Sequence, residues 1–440
     1  MKSDRRAPVA IVGGGFSGTI LAAQLARRGV DSILIDGSGR VGKGVAYSTK
    51  EPAHLLNVRA EGMSAWADEP NHFANHFEAR GGDRRGFAER RLFAGYIGQI
   101  LDDAVASGHV QIDHGSVVSA SRTDGEWSVG FDDGRSIEAR ALVLAIGNQE
   151  PDRLHKFEAA GDHFINNPWA ADARSAIEDL VENDGDTLIV GTGLTMIDLV
   201  LSLDAAGYRG RIVALSRRGQ IPRSHADFKP APVEEEELPS GDLLGLWRWL
   251  RGRAAKVGWR AAIDSLRPHS QALWLSLDDE RQRRFLRHAR AWWDVHRHRI
   301  APEVARTVAN MVAEGRLEIM AARIQQVRSA NGGLDVDVRK RGAAETRAMR
   351  FAYAFNCTGP LHSIEHTKDP LLRSLLDAGE VRPDHLGMGL EVDERSKAGN
   401  GNLWALGPLT KGRYWEIIAV PDIRVQAAAV ADDIALELEA

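Results

Sequence analysis

The chain has 440 residues, 43% hydrophobic and 27% charged, the balance of an ordinary globular enzyme, and it is long for one hydrophobic core, so two or three domains are expected. Acids and bases nearly cancel at a formal net charge of -5, which leaves no basic field to recruit a nucleic-acid partner. The single cysteine excludes a redox-active cysteine pair within the chain and agrees with a reducing, cytoplasmic compartment.

The opening MKSDRRAPVAIVGGG carries charges and then an apolar run too short for a signal peptide, and it leads into glycines rather than a cleavage site. It reads as a first core strand, Val9 to Val12. No uninterrupted apolar stretch approaches the roughly 18 residues that cross a bilayer, so no membrane partner is expected. The loop GGGFSG follows (Gly13, Gly14, Gly15, Phe16, Ser17, Gly18), with an amphipathic helix expected from Ile20 to Arg28. In a G-x-G-x-x-G loop the first glycine permits a tight turn and the second lets a pyrophosphate approach the backbone. The third allows close helix–strand packing, and the helix N-terminus offers free N–H groups. A second strand, Ser32 to Ile35, ends at Asp36, roughly 20 residues beyond, where a carboxylate accepts hydrogen bonds from a ribose and repels a 2′-phosphate. This site is expected to prefer FAD or NAD to NADP; the other reading of Asp36 is an acid capping the turn at Gly37.

GRVGKGVAYST and HLLNVRAEGMS come next, and their Leu55, Leu56 and Val58 suit a core as well as cofactor contacts. His54 is expected as a surface or capped histidine rather than a base. Strands leading into glycine turns are expected at Ala141–Pro151 and Phe351–Pro360, the second holding Cys357 as a small buried residue.

A further apolar strand, Thr187 to Val190, opens a second loop, GTGLTM, with Gly191, Gly193, Leu194 and Thr195 as nucleotide contacts and Met196 in place of the third glycine. The next strand, Arg211 to Leu215, ends in Ser216, Arg217 and Arg218 where an NAD site would place an acid. Guanidinium groups bind a 2′-phosphate through charge-assisted hydrogen bonds, so NADPH is expected here; the other reading is a solvated arginine pair. Prolines and an acidic run in IPRSHADFKPAPVEEEELPSGD read as an exposed linker, after which Leu243 to Glu314 has helical spacing throughout. Within it, Trp292, His296 and Arg299 are expected on one helical face, where His296, Arg297 and Arg299 are the substrate candidates; the arginines could equally solvate the insertion. His296 and His298 lie two positions apart and are not expected to bind a metal. A last strand, Leu403 to Leu406, precedes a loop and a final helix starting near Pro421.

The GVAY and LLNV segments resemble a bacterial FAD/NAD(P)-binding oxidoreductase family related to N-hydroxylating flavin monooxygenases, of which the nitrosuccinate-forming aspartate oxidases look like members. The resemblance spans nearly the whole chain. FEAAGDHFINNPW looks like a degraded form of the F-x-G-x-x-x-H-x-x-x-W-P signature of class B flavin monooxygenases, with Gly161 and His163 too close and Pro168–Trp169 inverted. The resemblance implies an α/β chain with two Rossmann-like domains, an FAD domain (1–170 and 355–440) holding an NAD(P)H domain (171–225 and 315–354), which in turn holds a helical insertion (226–314). It implies that Gly44, Ala46, Tyr47, Leu56, Asn57 and Val58 follow the flavin and its diphosphate arm, with Asn57 near the ring. Val118, Ala145, Gly147 and Gly359 join the candidate cofactor contacts, as do Gly407, Pro408, Pro421 and Ile423, where the final helix points at the flavin. Trp415 and Glu416 would sit at its reactive edge, Glu416 orienting substrate or handling a proton; a surface carboxylate is the competing reading. The implied activity is an NADPH-using, FAD-dependent monooxygenase that transfers oxygen from O2 to a small amine or amino-acid-like substrate. A dehydrogenase or reductase without oxygen insertion, and a flavin-binding sensor or electron carrier, are the alternatives.

Overall fold

The structure, a computed structural model, describes residues 7–439. The chain opens with β1 (Val9–Val12), β2 (Ser32–Ile35) and β3 (Val110–Asp113), turns out into an antiparallel sheet of β4 (Val117–Thr123), β5 (Glu126–Phe131) and β6 (Ser136–Ala139), and returns with β7 (Ala141–Leu144). It then builds a second sheet from β8 (Phe164–Ile165), β9 (Thr187–Val190), β10 (Ile212–Ser216), β11 (Leu317–Ala330), β12 (Gly333–Lys340), β13 (Arg347–Phe351) and β14 (Tyr353–Asn356). The closing strand β15 (Leu403–Ala405) rejoins the first sheet.

The first sheet runs β15-β7-β1-β2-β3, every pair parallel. Its central strands VAIV and ALVL are apolar at every position because a parallel sheet is covered on both faces. Helices Phe16–Arg27, Arg90–Ala106 and Val420–Glu439 share a core on one side, with Ile20, Ile97 and Ala427 fully buried. The β4–β6 sheet and the helix Pro370–Asp377 close the other side around Trp127 and Leu372.

The second sheet runs β13-β12-β11-β10-β9-β14-β8, parallel from β11 to β8 and antiparallel at the β11–β12–β13 edge. Three boundaries differ from the sequence expectation. β8 pairs with β14, and all of β14 lies beside β9, so this sheet takes in residues before 171 and beyond 354. The helix Pro302–Ala313 is the crossover that joins parallel strands β10 and β11, and its Val304, Val308 and Met311 share a core with the helix Leu194–Ala205. It therefore belongs to this layer, and the helical insertion inside the crossover ends before Pro302 instead of at 314. The first helix also starts four residues earlier than expected, at Phe16, where the N–H of Thr19 already donates to the Gly15 carbonyl at 3.0 Å.

The insertion is a set of short helices, Leu243–Val257, Trp259–Ser265, Ser270–Ser276 and Asp279–Arg284, the last passing through a π turn at Phe285–Ala289 into Arg290–Arg297. Its private core is small: Val233, Leu238, Leu266 and Leu273, with Trp249 and Trp293 against them. Among the described residues no helix is long and apolar enough to cross a membrane.

Candidate active site

Both glycine loops are built the same way. Gly13 and Gly191 adopt φ of 111° and 116°, a region costly for residues with a side chain. The N–H of each donates at 2.8 Å to the last carbonyl region of the neighbouring strand, Ile35 and Leu215 respectively. The next strand end docks beneath each loop, so a Cβ on Gly13 would stand 2.4 Å from the Ala145 carbonyl oxygen and one on Gly191 2.1 Å from that of Cys357. Gly18 is tighter still, its Cβ falling 1.9 Å from the Gly13 oxygen. In the second loop Met196 occupies the corresponding place and is fully buried in the core.

The middle glycines behave differently. A Cβ on Gly193 meets nothing within 4 Å, and one on Gly15 meets only the Gly44 Cα at 3.7 Å. No side chain caps the helices that start at Phe16 and Leu194. Each loop is thus an open backbone cradle before unclaimed N–H groups, which fits a dinucleotide diphosphate. Asp36 Oδ2 accepts from Gly14 N–H and Oδ1 from Ser38 N–H, both at 2.8 Å. It therefore caps the local turn, and its remaining lone pairs leave it able to accept from a ribose, so the two sequence readings of Asp36 are compatible.

Several other candidates gather at the first loop. Gly42 N–H donates to Gly14 O at 2.8 Å, which brings the short helix Gly44–Tyr47, including Ala46, alongside. Tyr47 sits edge-on to Phe93 at 4.8 Å, and burial, opposed by Arg90, pushes its phenol up to about 12. A Cβ on Gly407 would lie 2.7 Å from Ser17 Oγ and 4.0 Å from Ile423, so Gly407, its neighbour Pro408 and the start of the last helix at Val420–Pro421 converge there. Ser116 packs against Gly37, two residues before Val118 and one beyond Asp36. Leu56 is a core residue, Val58 is half-buried, and the carbonyl of Asn57 is taken by His225 Nε2 at 3.0 Å. Burial pushes that imidazole down to about 4, against the Asn57 hydrogen bond, and Arg299, Arg59 and Arg260 lower it further.

A cleft opens where the C-terminal ends of both parallel sheets meet, the usual place for ligands in such folds. Gly147 and Gln149 line it beyond β7, Thr358 beyond β14, Pro408 and Lys411 beyond β15, and Arg290 reaches in from the insertion. Gly359 turns with φ 99° between Thr358 and Pro360 at its wall. Lys411 and Arg290 both face the Trp415 ring, at 5.6 and 5.8 Å from its centroid. Burial, then the charge of Arg290, pushes the Lys411 ammonium down to about 8, against Asp294 and Glu416. Neither cation is marked by a local sequence pattern. Arg290 is one of many arginines in the insertion, and Lys411 stands in a loop with no motif around it.

Trp415 and Glu416 are buried, which excludes the surface reading of Glu416. Trp415 stacks on Trp274 at 4.9 Å and meets Phe285 edge-on at 5.3 Å. Glu416 Oε1 accepts from Trp293 Nε1 at 2.8 Å, while Arg297 Nε lies 2.8 Å from Oε2 in an ion contact without hydrogen-bond alignment. Burial works to raise the Glu416 pKa, but Arg297, then His298 and the Trp293 hydrogen bond, outweigh it and hold the carboxyl below its usual range.

The three substrate candidates separate. The helix ends at Arg297, so Arg299 does not share a face with Trp292 and His296; it is buried and paired with Asp264. Arg297 is committed to Glu416. His296 lies against Trp259 in a separate groove walled also by Trp247, Trp292 and Trp293. His54 is not the surface histidine of the two readings. It is buried, with Nδ1 2.8 Å from Thr49 Oγ1 and Nε2 3.0 Å from the Asp198 carbonyl, and so pins the first domain to the helix of the second loop. Arg90 adds a bidentate pair with the Asp198 carboxylate, at 2.8 and 2.9 Å.

Residues 10–149 match a family model described as FAD-NAD(P)-binding. No curated protein sequence gives a significant match. Among solved structures the chain is similar to L-lysine 6-monooxygenase from Pseudomonas syringae, at 16% identity and TM-score 0.68 over 98% of this chain and 99% of that one. It is also similar to Kutzneria sp. 744 ornithine N-hydroxylase, solved with reduced FAD, NADP+ and L-orn, at 14% identity and TM-score 0.66 over 99% and 100% of the two chains. Thioredoxin reductase from T. acidophilum follows at 13% identity and TM-score 0.56, again over 99% and 100%. At these identities the likeness is one of fold.

Proposed function

With residues 10–149 an FAD-NAD(P)-binding domain, we propose that the chain is an NADPH-using, FAD-dependent oxidoreductase, and within that class a single-component monooxygenase acting on a small amine or amino-acid-like substrate. The supporting observation is the cleft itself, which joins the C-terminal ends of two loop-bearing sheets and carries two cations, Arg290 and Lys411. In the overall reaction an amine, O2, NADPH and a proton give a hydroxylamine, NADP+ and water. Bound FAD would supply the two-electron redox chemistry and the activation of dioxygen. Gly13 to Gly18 and Asp36 would hold its diphosphate and ribose, Gly407 and the last helix its ring end. Gly191, Gly193 and the Ser216–Arg218 turn would hold NADPH. Arg290 and Lys411 would orient a substrate carboxylate, and the indole of Trp415 behind them excludes water from that side of the cleft.

The thioredoxin-reductase-like aspect of the fold raises a reductase as the second reading. A dithiol relay within one chain is ruled out by the single cysteine, and burial, with the Asp198 charge adding to it, pushes the Cys357 thiol up and keeps it protonated. A reductase acting on an organic acceptor would still be compatible with both loops. Supplying purified enzyme with NADPH and isotopically labelled O2 across a panel of amines and amino acids separates the two. Label in a hydroxylated product supports the monooxygenase; NADPH oxidation that yields only peroxide or reduced acceptor overturns it.

Lys411 supplies a pH signature. Its cationic form is the one that attracts a carboxylate, and a pKa near 8 means that form is lost as pH rises through about 8. KM for the substrate is therefore expected to be flat below that point and to climb above it. Lys411→Met should raise KM about 10-fold or more and flatten the profile. A rise of the same shape in the variant would exclude Lys411 as its source.

A further inference from the structure

The turn after β10 does not stand alone. Thr192 Oγ1–H donates to the Gln220 carbonyl at 2.5 Å, Ser216 Oγ–H donates to Thr192 Oγ1 at 2.8 Å and Ser216 Oγ accepts from Gly219 N–H at 3.0 Å, which sets the direction in which the next two residues leave the strand. Arg217 is exposed, with no hydrogen-bond or ion-pair partner among the described residues. Arg218 is half-buried and held by the insertion: its Nη2 donates to the His288 carbonyl at 3.2 Å, and its guanidinium carbon lies 5.8 Å from the Trp292 ring centroid, within cation–π range. Its Nη1 is shielded from solvent yet has no acceptor in the protein, so the fork retains donor capacity that an anion would satisfy. His288 lies in the π turn, a device frequent at functional sites, and Trp292 is 42% exposed, unusual for the largest apolar side chain. Its position over Arg218 gives that exposure a purpose.

We infer that Trp292 is a positioning residue for Arg218, and that through it the helical insertion helps select a 2′-phosphorylated dinucleotide at the second loop. The inference rests on the proposed reading of Ser216–Arg218 as the NADPH-selecting turn. Physically, a guanidinium already held against an indole and a carbonyl loses less side-chain freedom when it binds phosphate than one free in water. The insertion thereby touches the cleft through Arg290 and the nucleotide turn through Trp292 with one short helix.

The test is a set of steady-state measurements on the FAD-loaded enzyme with NADPH and with NADH. Arg218→Ala is expected to lower the NADPH-to-NADH ratio of kcat/KM about 10-fold or more. Trp292→Ala is expected to lower it about 3-fold or more, through a higher KM for NADPH at nearly constant kcat and with a smaller change for NADH. Trp292→Phe, which restores an aromatic face, should recover most of the preference. The double variant Trp292→Ala/Arg218→Ala should be no worse than Arg218→Ala alone. If Arg218→Ala lowers the ratio and Trp292→Ala does not, or lowers both cofactors equally, the positioning role is overturned while the NADPH turn stands. An unchanged ratio in Arg218→Ala overturns the inference, and an unchanged ratio in Arg217→Ala/Arg218→Ala as well overturns the NADPH-selecting turn.

Discussion

Gly18→Ala is expected to yield a folded protein that purifies without a yellow chromophore. The added Cβ would fall 1.9 Å from the Gly13 carbonyl oxygen, inside any permissible contact, so the helix Phe16–Arg27 must move off the loop or the loop must open. Overpacking of this kind costs about 1–3 kcal/mol. Here the atoms that must give way are loop backbone that would cradle a diphosphate, so about 10- to 100-fold in FAD affinity is the expected loss. Gly193→Ala in the second loop makes the contrast. Its φ of -88° suits alanine and its Cβ meets no protein atom, so folding and FAD content should be unchanged. Any cost there would come from ligand, as a KM for NADPH raised about 10-fold against the same open space. Absorbance at flavin wavelengths, circular dichroism and NADPH kinetics read the three quantities separately. A fully yellow Gly18→Ala protein would refute the role assigned to the first loop, and an unaltered NADPH KM in Gly193→Ala the role assigned to the second.

The parts of this chain that could be read from its sequence are those where covalent geometry restricts the residue type. Gly13 and Gly191 are glycines because φ is positive and a strand end lies against them, and the apolar runs VAIV, TLIV and ALVL are continuous because parallel strands are covered on both faces. These give the two sheets and their order along the chain. Side chains whose roles depend on distant elements are not legible in the local pattern. His54 gave no sign of burial, since its partner Asp198 is 144 positions away. Arg299 looked like a continuation of the helix because periodicity does not mark where a helix stops, and Asp264 supplies its charge partner from another helix. The Pro302–Ala313 helix shares the insertion's composition, and only the parallel pairing of β10 with β11 reveals it as a crossover. Lys411 and Arg290 define the cleft's charge by meeting across 121 positions of chain around one indole, which no local pattern encodes.

Glu416→Ala is expected to loosen the helical insertion from the rest of the molecule and to lower stability at neutral pH by about 3–5 kcal/mol, the usual cost of leaving one partner of a buried ion pair uncompensated. Glu416 and Arg297 are each at most 10% exposed, and they connect the segment before the last helix to the insertion's final helix. Removing the carboxylate leaves Arg297 buried beside the cation Arg267, with Asp422 the acid remaining within reach of both, and deprives Trp293 Nε1 of its acceptor. Two neutral contacts would persist, Trp274 Nε1 to the Gly412 carbonyl at 2.8 Å and Gln271 Nε2 to that of Arg413 at 2.7 Å, so detachment should be partial. Glu416→Gln keeps an acceptor for Trp293 and should lie between wild type and Glu416→Ala. The pH dependence follows in sign. A carboxyl whose folded pKa is depressed contributes its stability above the unfolded value, about 4.3, and loses it as pH falls through the folded value. His298, whose pKa is lowered chiefly by burial, resists protonation in the folded state, so acid opposes folding through it as well. Chemical denaturation at neutral pH and at pH 4, with proteolysis of the Ile221–Asp242 linker as the local readout, measures these effects. Equal stability and equal linker protection in Glu416→Ala and wild type would show that the stacking of Trp274 on Trp415 and the Trp274 and Gln271 hydrogen bonds hold the insertion without the ion pair, and that the buried pair contributes specificity of fit rather than cohesion.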